Sequence, residues 1–460
     1  MNCTLERFAI GMAQSEPQVR QAARRWQTYA VSSKEAVPTP SLWRTFRTLR
    51  GNPRACVWTE PLWGLSMALV LPYLSVFMLS VGLNDSQIGL LATIGMISQV
   101  LFALAGGVIT DKLGRRATTA WFDLLSWVVP CLIWAVAQNF WVFLGAAIVN
   151  GSFQVTSNSW DALMIEDADR RDIPRIYALV RVAGDCSALF APIAAVLVAN
   201  LGLDVAVRIL FINAAVGMIV KIVWLYWWST ETAQGRVRVA ETQGVPFTRL
   251  FAQYRGVLGQ IVRTRGLRLA LAIQALAAAV FLVNGTFWQL AISQHLYVPD
   301  AALPFFPMVR SLLSMVLFFT LVPRLTGAAD LRRPTLIGLG VYLTGQALFV
   351  AIPAANGEAT LTTYTFLAVC LLLDALGGGM VFMLSESLFA LHVNLAERSR
   401  MMALQRTTIL LAAAPFGWIG GWLSSHDRTY PFVLTVALLA VAIVLVITRW
   451  VPIRHEVTNS

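Results

Sequence analysis

About a dozen apolar runs, each long enough to cross a bilayer, fill this chain from residue 58 to residue 452. A hydrocarbon core about 30 Å thick takes roughly 20 apolar residues per helix. Runs of that length stand at 58 to 80, 86 to 110, 117 to 137, 139 to 165, 174 to 200 and 204 to 230, then at 266 to 294, 299 to 322, 334 to 354, 360 to 392, 399 to 424 and 429 to 452. Inside a membrane the backbone must bond within its own segment, so runs of this length read as helices. With 57% apolar and 13% charged residues and a mean hydropathy of +0.66, a soluble 460-residue protein is excluded. The expected class is an all-α membrane protein with twelve transmembrane helices.

The cations set the expected orientation, because Lys and Arg near span ends stay on the cytoplasmic side. They follow the even spans: Lys112, Arg115 and Arg116 after the second, Arg170, Arg171 and Arg175 after the fourth, and a run from Arg236 to Arg265 after the sixth. The pattern continues with Arg324, Arg332 and Arg333, then Arg398 and Arg400, then Arg449 and Arg454, whereas the opposite side carries one loop cation, Arg428. Both termini are therefore expected in the cytoplasm of a cell with the protein in its plasma membrane. The net charge of +11 reads as topology and contact with anionic inner-leaflet lipids, not as nucleic-acid binding.

These boundaries give a basic tail at 1 to 56, a six-helix unit at 57 to 230, a linker at 231 to 265, a second six-helix unit at 266 to 453 and a tail at 454 to 460. The tail carries no cleavable signal pattern, so insertion is expected to use the first span. Within the tail, Leu42, Trp43, Phe46 and Leu49 share a helical face flanked by arginines; in the linker, Phe247, Leu250, Phe251, Tyr254, Leu258 and Ile261 do the same. Both segments are expected to lie on the inner leaflet. Five scattered cysteines without histidine partners suggest neither disulfides nor a metal site.

The turn after the second span reads Gly107-Val-Ile-Thr-Asp111-Lys112-Leu-Gly114-Arg115-Arg116. The two halves also repeat: Asp161-Ala-Leu163 precedes Arg175 and Arg181 by the same intervals at which Glu386-Ser-Leu388 precedes Arg400 and Arg406. The turn resembles the signature loop of the major facilitator superfamily of secondary transporters, and the resemblance covers roughly residues 55 to 455. It implies two pseudo-symmetric six-helix bundles, a solute site near the midplane between them and alternating access. The expected echo of the loop after span 8, Pro323 to Arg333, is degenerate.

The resemblance implies a cytoplasmic latch. Asp111 would meet Arg400 at the start of span 11, and Arg115 would pair with Asp161 or Glu166 at the end of span 4. Arg116, Arg175 and Glu386 belong to the same expected network, with Gly107 and Gly114 permitting close helix approach and the tight turn. Asp123 and Arg406 extend it. The alternative is that these charges only determine topology.

Ionisable groups inside spans are costly and therefore point to function or to pairing. Arg310 in span 8 and Asp374 in span 10 are expected as an ion pair, either structural or the element that couples transport to protons. Arg181 and Asp185, four residues apart on span 5, neutralise each other or leave Asp185 as a proton site. Glu60 beside Pro61 either snorkels to the inner interface or takes part in coupling, and Lys221 and Arg208 are expected to reach the interfaces.

Uncharged polar groups should line a water-filled cavity or glue helices together. Span 4 offers Asn150, Gln154 and Asn158; span 7 offers Gln274, Asn284, Trp288 and Gln289. Amides mixed with aromatics suit a polar or amphipathic small organic solute. No cofactor is expected beyond a proton or other ion gradient, and the chain is expected to act as a monomer. Ala191-Pro192 in span 5 keeps the proline of an exporter-like segment without its glycines, which favours proton-coupled export over import. The four dispersed histidines and the absence of a nucleophile grouping or phosphate loop argue against an enzyme; a receptor or scaffold that has lost transport is the remaining alternative.

Overall fold

The computed structural model describes residues 42–169, 171–244, 265–320, 331–354, 357–392 and 398–450. Among these residues the structure is helical, with no strand. The first half contains α1 (Gly51–Ser80), α2 (Asp85–Leu113), α3 (Arg115–Val136), α4 (Phe140–Ile165), α5 (Ile173–Leu201) and α6 (Leu203–Trp228). The second contains α7 (Arg265–Gln294), α8 (Phe305–Thr320), α9 (Arg332–Val350) and α10 (Leu361–His392), then α11, formed by Arg398–Ala413 and Pro415–His426, and α12 (Tyr430–Arg449).

Among the described residues, eleven helices are long and apolar enough to cross a membrane; α9 is the one member of the twelve that falls short. It packs along the length of α10. Glycines make that contact possible. A Cβ on Gly345 would stand 2.8 Å from Oδ1 of Asp374 and 2.9 Å from Cβ of Leu373, and one on Gly377 would strike the Tyr342 backbone.

Prolines and glycines divide several spans. The α1 helix tightens at Leu71–Tyr73 around Pro72, α5 at Ala188–Phe190 ahead of Pro192, and α11 is broken before Pro415. Each proline lacks the N–H that would continue the ladder. A wide π turn at Leu124–Val128 precedes Pro130 in α3, and α4 breaks at Gly151 and Ser152. The entry to α2 is firm: Asn84 Oδ1 accepts from the Gln87 backbone at 2.9 Å and Gln87 Oε1 accepts from the Asn84 backbone at 3.0 Å.

The first half is centred on Phe77, whose ring meets Phe143 at 6.0 Å and Phe211 at 5.8 Å. The second packs Tyr342, Val381 and Leu439 into a separate cluster. A short linker helix, Ala233–Thr242, follows α6, capped by the Thr232 hydroxyl accepting from Gly235 N at 2.8 Å. The amphipathic linker helix expected through Phe247 and Ile261 lies outside the described residues. Leu42–Thr48 forms a short helix of its own, in which Trp43 stacks on Phe46 at 5.8 Å.

Two expectations need correction. Glu60 does not snorkel to an interface: the helix that carries the first span begins at Gly51, which puts Glu60 about two and a half turns inside α1, only 8% exposed. Lys221 does not reach an interface: its Nζ lies 3.1 Å from Oδ2 of Asp123, with both side chains buried. A charged amine this deep is held by its counter-ion; without one, desolvation would cost several kcal/mol, roughly.

Candidate functional site

The charged turn between α2 and α3 organises one end of the bundle. Gly114 has φ +85°, a conformation glycine adopts without strain, and a Cβ there would meet the Glu231 carboxylate. Glu231 caps α3, accepting from the backbone N–H of Arg115 at 2.9 Å and of Arg116 at 3.0 Å. Arg115 reaches Asp111 at 3.1 Å and grips Glu166 at 3.0 and 3.1 Å. Arg238 of the linker helix closes the other side of Asp111 at 2.9 Å, and this hydrogen bond raises the Arg238 pKa. Arg116 donates to the Tyr226 carbonyl and lies 3.8 Å from the Tyr226 ring centroid.

Of the two expected partners for Arg115, Glu166 is the one used. Asp161 forms no ion pair among the described residues, and the cation in its electrostatic reach is Arg406 from the other half. The expected Asp111 contact with Arg400 involves a side chain outside the described set; Asp111 is occupied by Arg115 and Arg238. Arg175 pairs locally with Asp172 at 2.7 Å. Glu386 meets Gln405 at 3.3 Å, and Gln405 in turn donates to Gln274 at 2.9 Å. Gly106 lets α4 approach α2: a Cβ on it would stand 2.7 Å from Nδ2 of Asn158.

At the opposite end the halves are sewn together along α2 and α11. Backbone meets backbone where Gly89 faces Gly417 and Gly421, leaving no room for a Cβ on any of the three. Thr93 Oγ1 donates to the Ala414 carbonyl at 2.7 Å and accepts from Trp418 N at 2.8 Å. Asp85 accepts from Ser424 Oγ at 2.7 Å and forms an ion pair with Arg428, the lone loop cation of that side. Asp427 beside it accepts from Thr429 Oγ1 at 2.6 Å and Thr429 N at 2.7 Å, which lowers its pKa below the usual carboxylate range.

Between the halves lies a cavity of about 860 Å³. That volume is within the usual range for a small organic ligand, roughly 300 to 1,000 Å³. Glu60 and Trp63 of α1, Arg181 and Asp185 of α5, Arg310 of α8 and Asp374 of α10 all contribute to its wall. Arg181 and Asp185 pair with each other at 2.8 Å. Arg310 and Asp374 face the same space without an ion pair, and Nε2 of Gln346 on α9 holds both Asp374 oxygens at 2.9 and 3.0 Å. Thr435 of α12 completes that chain by donating to Gln346 Oε1 at 2.8 Å.

The Major Facilitator Superfamily model matches residues 62–363, about two thirds of the sequence. The chain belongs to the Major Facilitator Superfamily. Its transporter fold is shared with solved members: the nucleoside transporter NupG superposes with a TM-score of 0.66 at 14% identity, covering 86% of this chain and 98% of NupG. A peptide transporter, POT, in complex with sulfate gives 0.65 at 15% identity, covering 89% and 97%. In sequence, the quinolone resistance protein NorA of Staphylococcus aureus is 32% identical over 87 residues, 19% of this chain and only 22% of NorA.

In this Major Facilitator Superfamily member, Asn150, Asn284, Trp288 and Gln289 line the cavity as expected from the sequence. Gln154 and Asn158 do not: Gln154 bonds Gln99 at 3.2 Å, and Asn158 packs on Gly106, so the lower part of α4 uses its amides against α2. Gln274 is buried against Gln405. The break at Gly151 and Ser152 separates Asn150 from those two residues. Sequence reasoning missed Trp63, Phe306 and the Asp85 to Arg428 pair; the isolated cation at 428 was the available signal for the last. Among the described residues no cluster of three or more His, Cys, Asp or Glu side chains is suited to a metal.

Proposed function

We propose that this transporter exports a small organic solute across the plasma membrane by alternating access, driven by protons, with both termini in the cytoplasm. The observation that carries this reading is the asymmetry of the central cavity. Its walls come from both halves, while the seam of Gly89, Thr93, Gly417 and Gly421 joins the halves at the end away from the basic turn. With the basic end cytoplasmic, this arrangement is the inward-facing state, loaded from the cell interior. Rocking the two bundles about the cavity would break the seam and bring the basic ends together.

Two carboxylates are placed to carry the proton. Glu60 is buried at the cavity wall with no hydrogen bond or ion pair among the described residues, in electrostatic reach of Lys221. Asp374 faces Arg310 across the same space. The segment shared with NorA favours the export direction and makes a quinolone a suitable first solute. The test is flux of a labelled quinolone in proteoliposomes under an imposed pH gradient. Accumulation against the solute gradient that disappears on collapsing the proton gradient, and in Glu60→Gln or Asp374→Asn, supports the reading; gradient-independent flux, or inward flux only, overturns coupling or direction respectively.

A further inference from the structure

Roughly midway along the Asp300–Leu317 span, Arg310 turns a guanidinium to the cavity and makes no hydrogen bond or ion pair among the described residues. An arginine at membrane depth costs about 2.5 to 3.5 kcal/mol even on the lenient insertion scale, so one without a protein partner is retained where water or a ligand meets it. Asp374, a carboxylate of the same cavity, has both oxygens bonded to Gln346. Two further groups that line the same cavity from α7 have unused capacity. Oδ1 of Asn284 and Oε1 of Gln289 are buried without a hydrogen-bond partner, although both residues line the cavity and are only 6% and 8% exposed.

The chemistry of the three groups is complementary. Arg310 offers donors in a planar fork that fits a carboxylate in bidentate fashion. The two amide oxygens are acceptors and require an N–H or O–H from the ligand. Beside them Trp288 forms an apolar shelf, its ring 5.2 Å from Phe306 and 5.9 Å from Phe349. A buried acceptor left without a donor costs about 1 to 3 kcal/mol, and a ligand that supplies the donor recovers it.

We infer that this wall of the cavity is the substrate subsite and that it takes an aromatic carboxylate carrying a hydrogen-bond donor, with Arg310 binding the carboxylate, Asn284 and Gln289 accepting from the donor, and Trp288 carrying the ring. This deepens the transport reading and rests on it for the direction of movement, but not for binding. Glu60 lies in electrostatic reach of Lys221, and Arg310 is the cation of this subsite, with Asp374 in its electrostatic reach.

The test compares ligands of one shape and different charge on the purified full-length protein: indole-3-acetate, indole-3-acetamide, tryptamine and 1-methylindole-3-acetate, extended by larger aryl carboxylates up to a quinolone acid. Direct binding and thermal unfolding are read for the wild type, Arg310→Lys, Arg310→Gln, Asp374→Asn and the Asn284→Leu/Gln289→Leu double variant. The expected order is carboxylate over amide over ammonium. Arg310→Gln should bind the carboxylate at least tenfold more weakly, with partial recovery in Arg310→Lys, while Asp374→Asn binds it as well as or better than the wild type. Methylating the indole nitrogen should weaken binding to the wild type and make no difference in the double variant.

Preference for tryptamine, a carboxylate affinity unchanged in Arg310→Gln, or no binding by any carboxylate in the set overturns the subsite. Carboxylate binding without flux in proteoliposomes leaves the subsite standing and overturns transport. Flux of ammonium compounds alone does the reverse.

Discussion

Asp85 at the first turn of α2 is held by Arg428 from the loop between α11 and α12, an ion pair that joins residues 343 positions apart and ties one six-helix half to the other. Its side chains are 5% and 23% exposed, so the pair is mostly shielded from solvent screening. Asp85→Asn removes a charge-assisted contact worth about 1.5 to 3 kcal/mol to the closed seam. A ten- to hundredfold shift, roughly, toward opening at that end follows. A cysteine placed at Ala92, on the cavity wall, reports it through faster alkylation by an impermeant reagent from the side of Arg428. An unchanged rate would remove the pair from the gate.

The glycine seam gives a sharper steric test. Gly89→Ala puts a methyl group against the backbone of Gly417 and Gly421, which cannot swing aside as a side chain can. The variant should insert normally and lose most solute flux, with the alkylation rate at Ala92→Cys raised. Gly285→Ala, on the cavity-lining part of α7 but with open space around its Cβ, is the control and should retain the fold and its thermal stability.

Removing Lys221 from the buried Lys221 to Asp123 pair leaves the Asp123 carboxylate buried without its counter-ion, with Thr156 Oγ1 as its remaining side-chain donor among the described residues. Lys221→Met should cost about 3 to 5 kcal/mol. Lys221→Met combined with Asp123→Leu should recover most of the loss. Thermal unfolding in detergent checks both; a double variant as unstable as the single one would mean that the site needs its charges for more than mutual neutralisation.

At the basic end, Glu231→Ala frees the backbone N–H groups of Arg115 and Arg116 and should destabilise the turn by about 1 kcal/mol. Asp111→Asn acts differently, because it weakens the hold on Arg115 and on Arg238 together. Expression should persist in both, with flux reduced more in Asp111→Asn. Equal flux in Asp111→Asn and wild type would reduce the turn to a topology signal.

The Asp427 cap supplies a pH signature with a definite sign. Its folded pKa is lowered by the hydrogen bonds from Thr429, so its stabilisation is present above the ordinary carboxylate pKa of about 3.9 and is lost as pH falls through the lower folded value. The difference in unfolding temperature between wild type and Asp427→Ala should be constant near neutral pH and shrink only in that acid window. Because Asp427 is only partly buried, solvent screening keeps the difference small.

Much of this architecture could be read from residue order alone. Apolar runs dictate helices where hydrocarbon leaves the backbone no other partner, and the spacing from Asp111 to Arg116 identifies a turn whose Arg115 to Glu166 bond is present in the structure. Facing is harder to read. Span 4 looked like a polar wall, but its helix breaks at Gly151 and Ser152, and Gln154 and Asn158 bond or pack against α2 while Asn150 stays on the cavity. Lys221 and Asp123 stand 98 residues apart, and no local pattern announces that they meet. Arg310 and Asp374 read from the sequence as an ion pair at mid-membrane; they share a cavity wall but do not pair, and the acid is bonded by Gln346 of the intervening helix.

The marginal apolarity of α9 has a consequence for biogenesis. Gln346, buried within it, is bonded only to Asp374 of α10 and Thr435 of α12 among the described residues. A ribosome delivers those partners in sequence, so α9 leaves the translocation machinery before either can bond it. The second half is therefore expected to assemble late and as one body, completed by its last helix. A nascent chain stopped before Tyr430 should keep α9 accessible to protease or to aqueous thiol reagents, and the same chain extended through Arg449 should protect it.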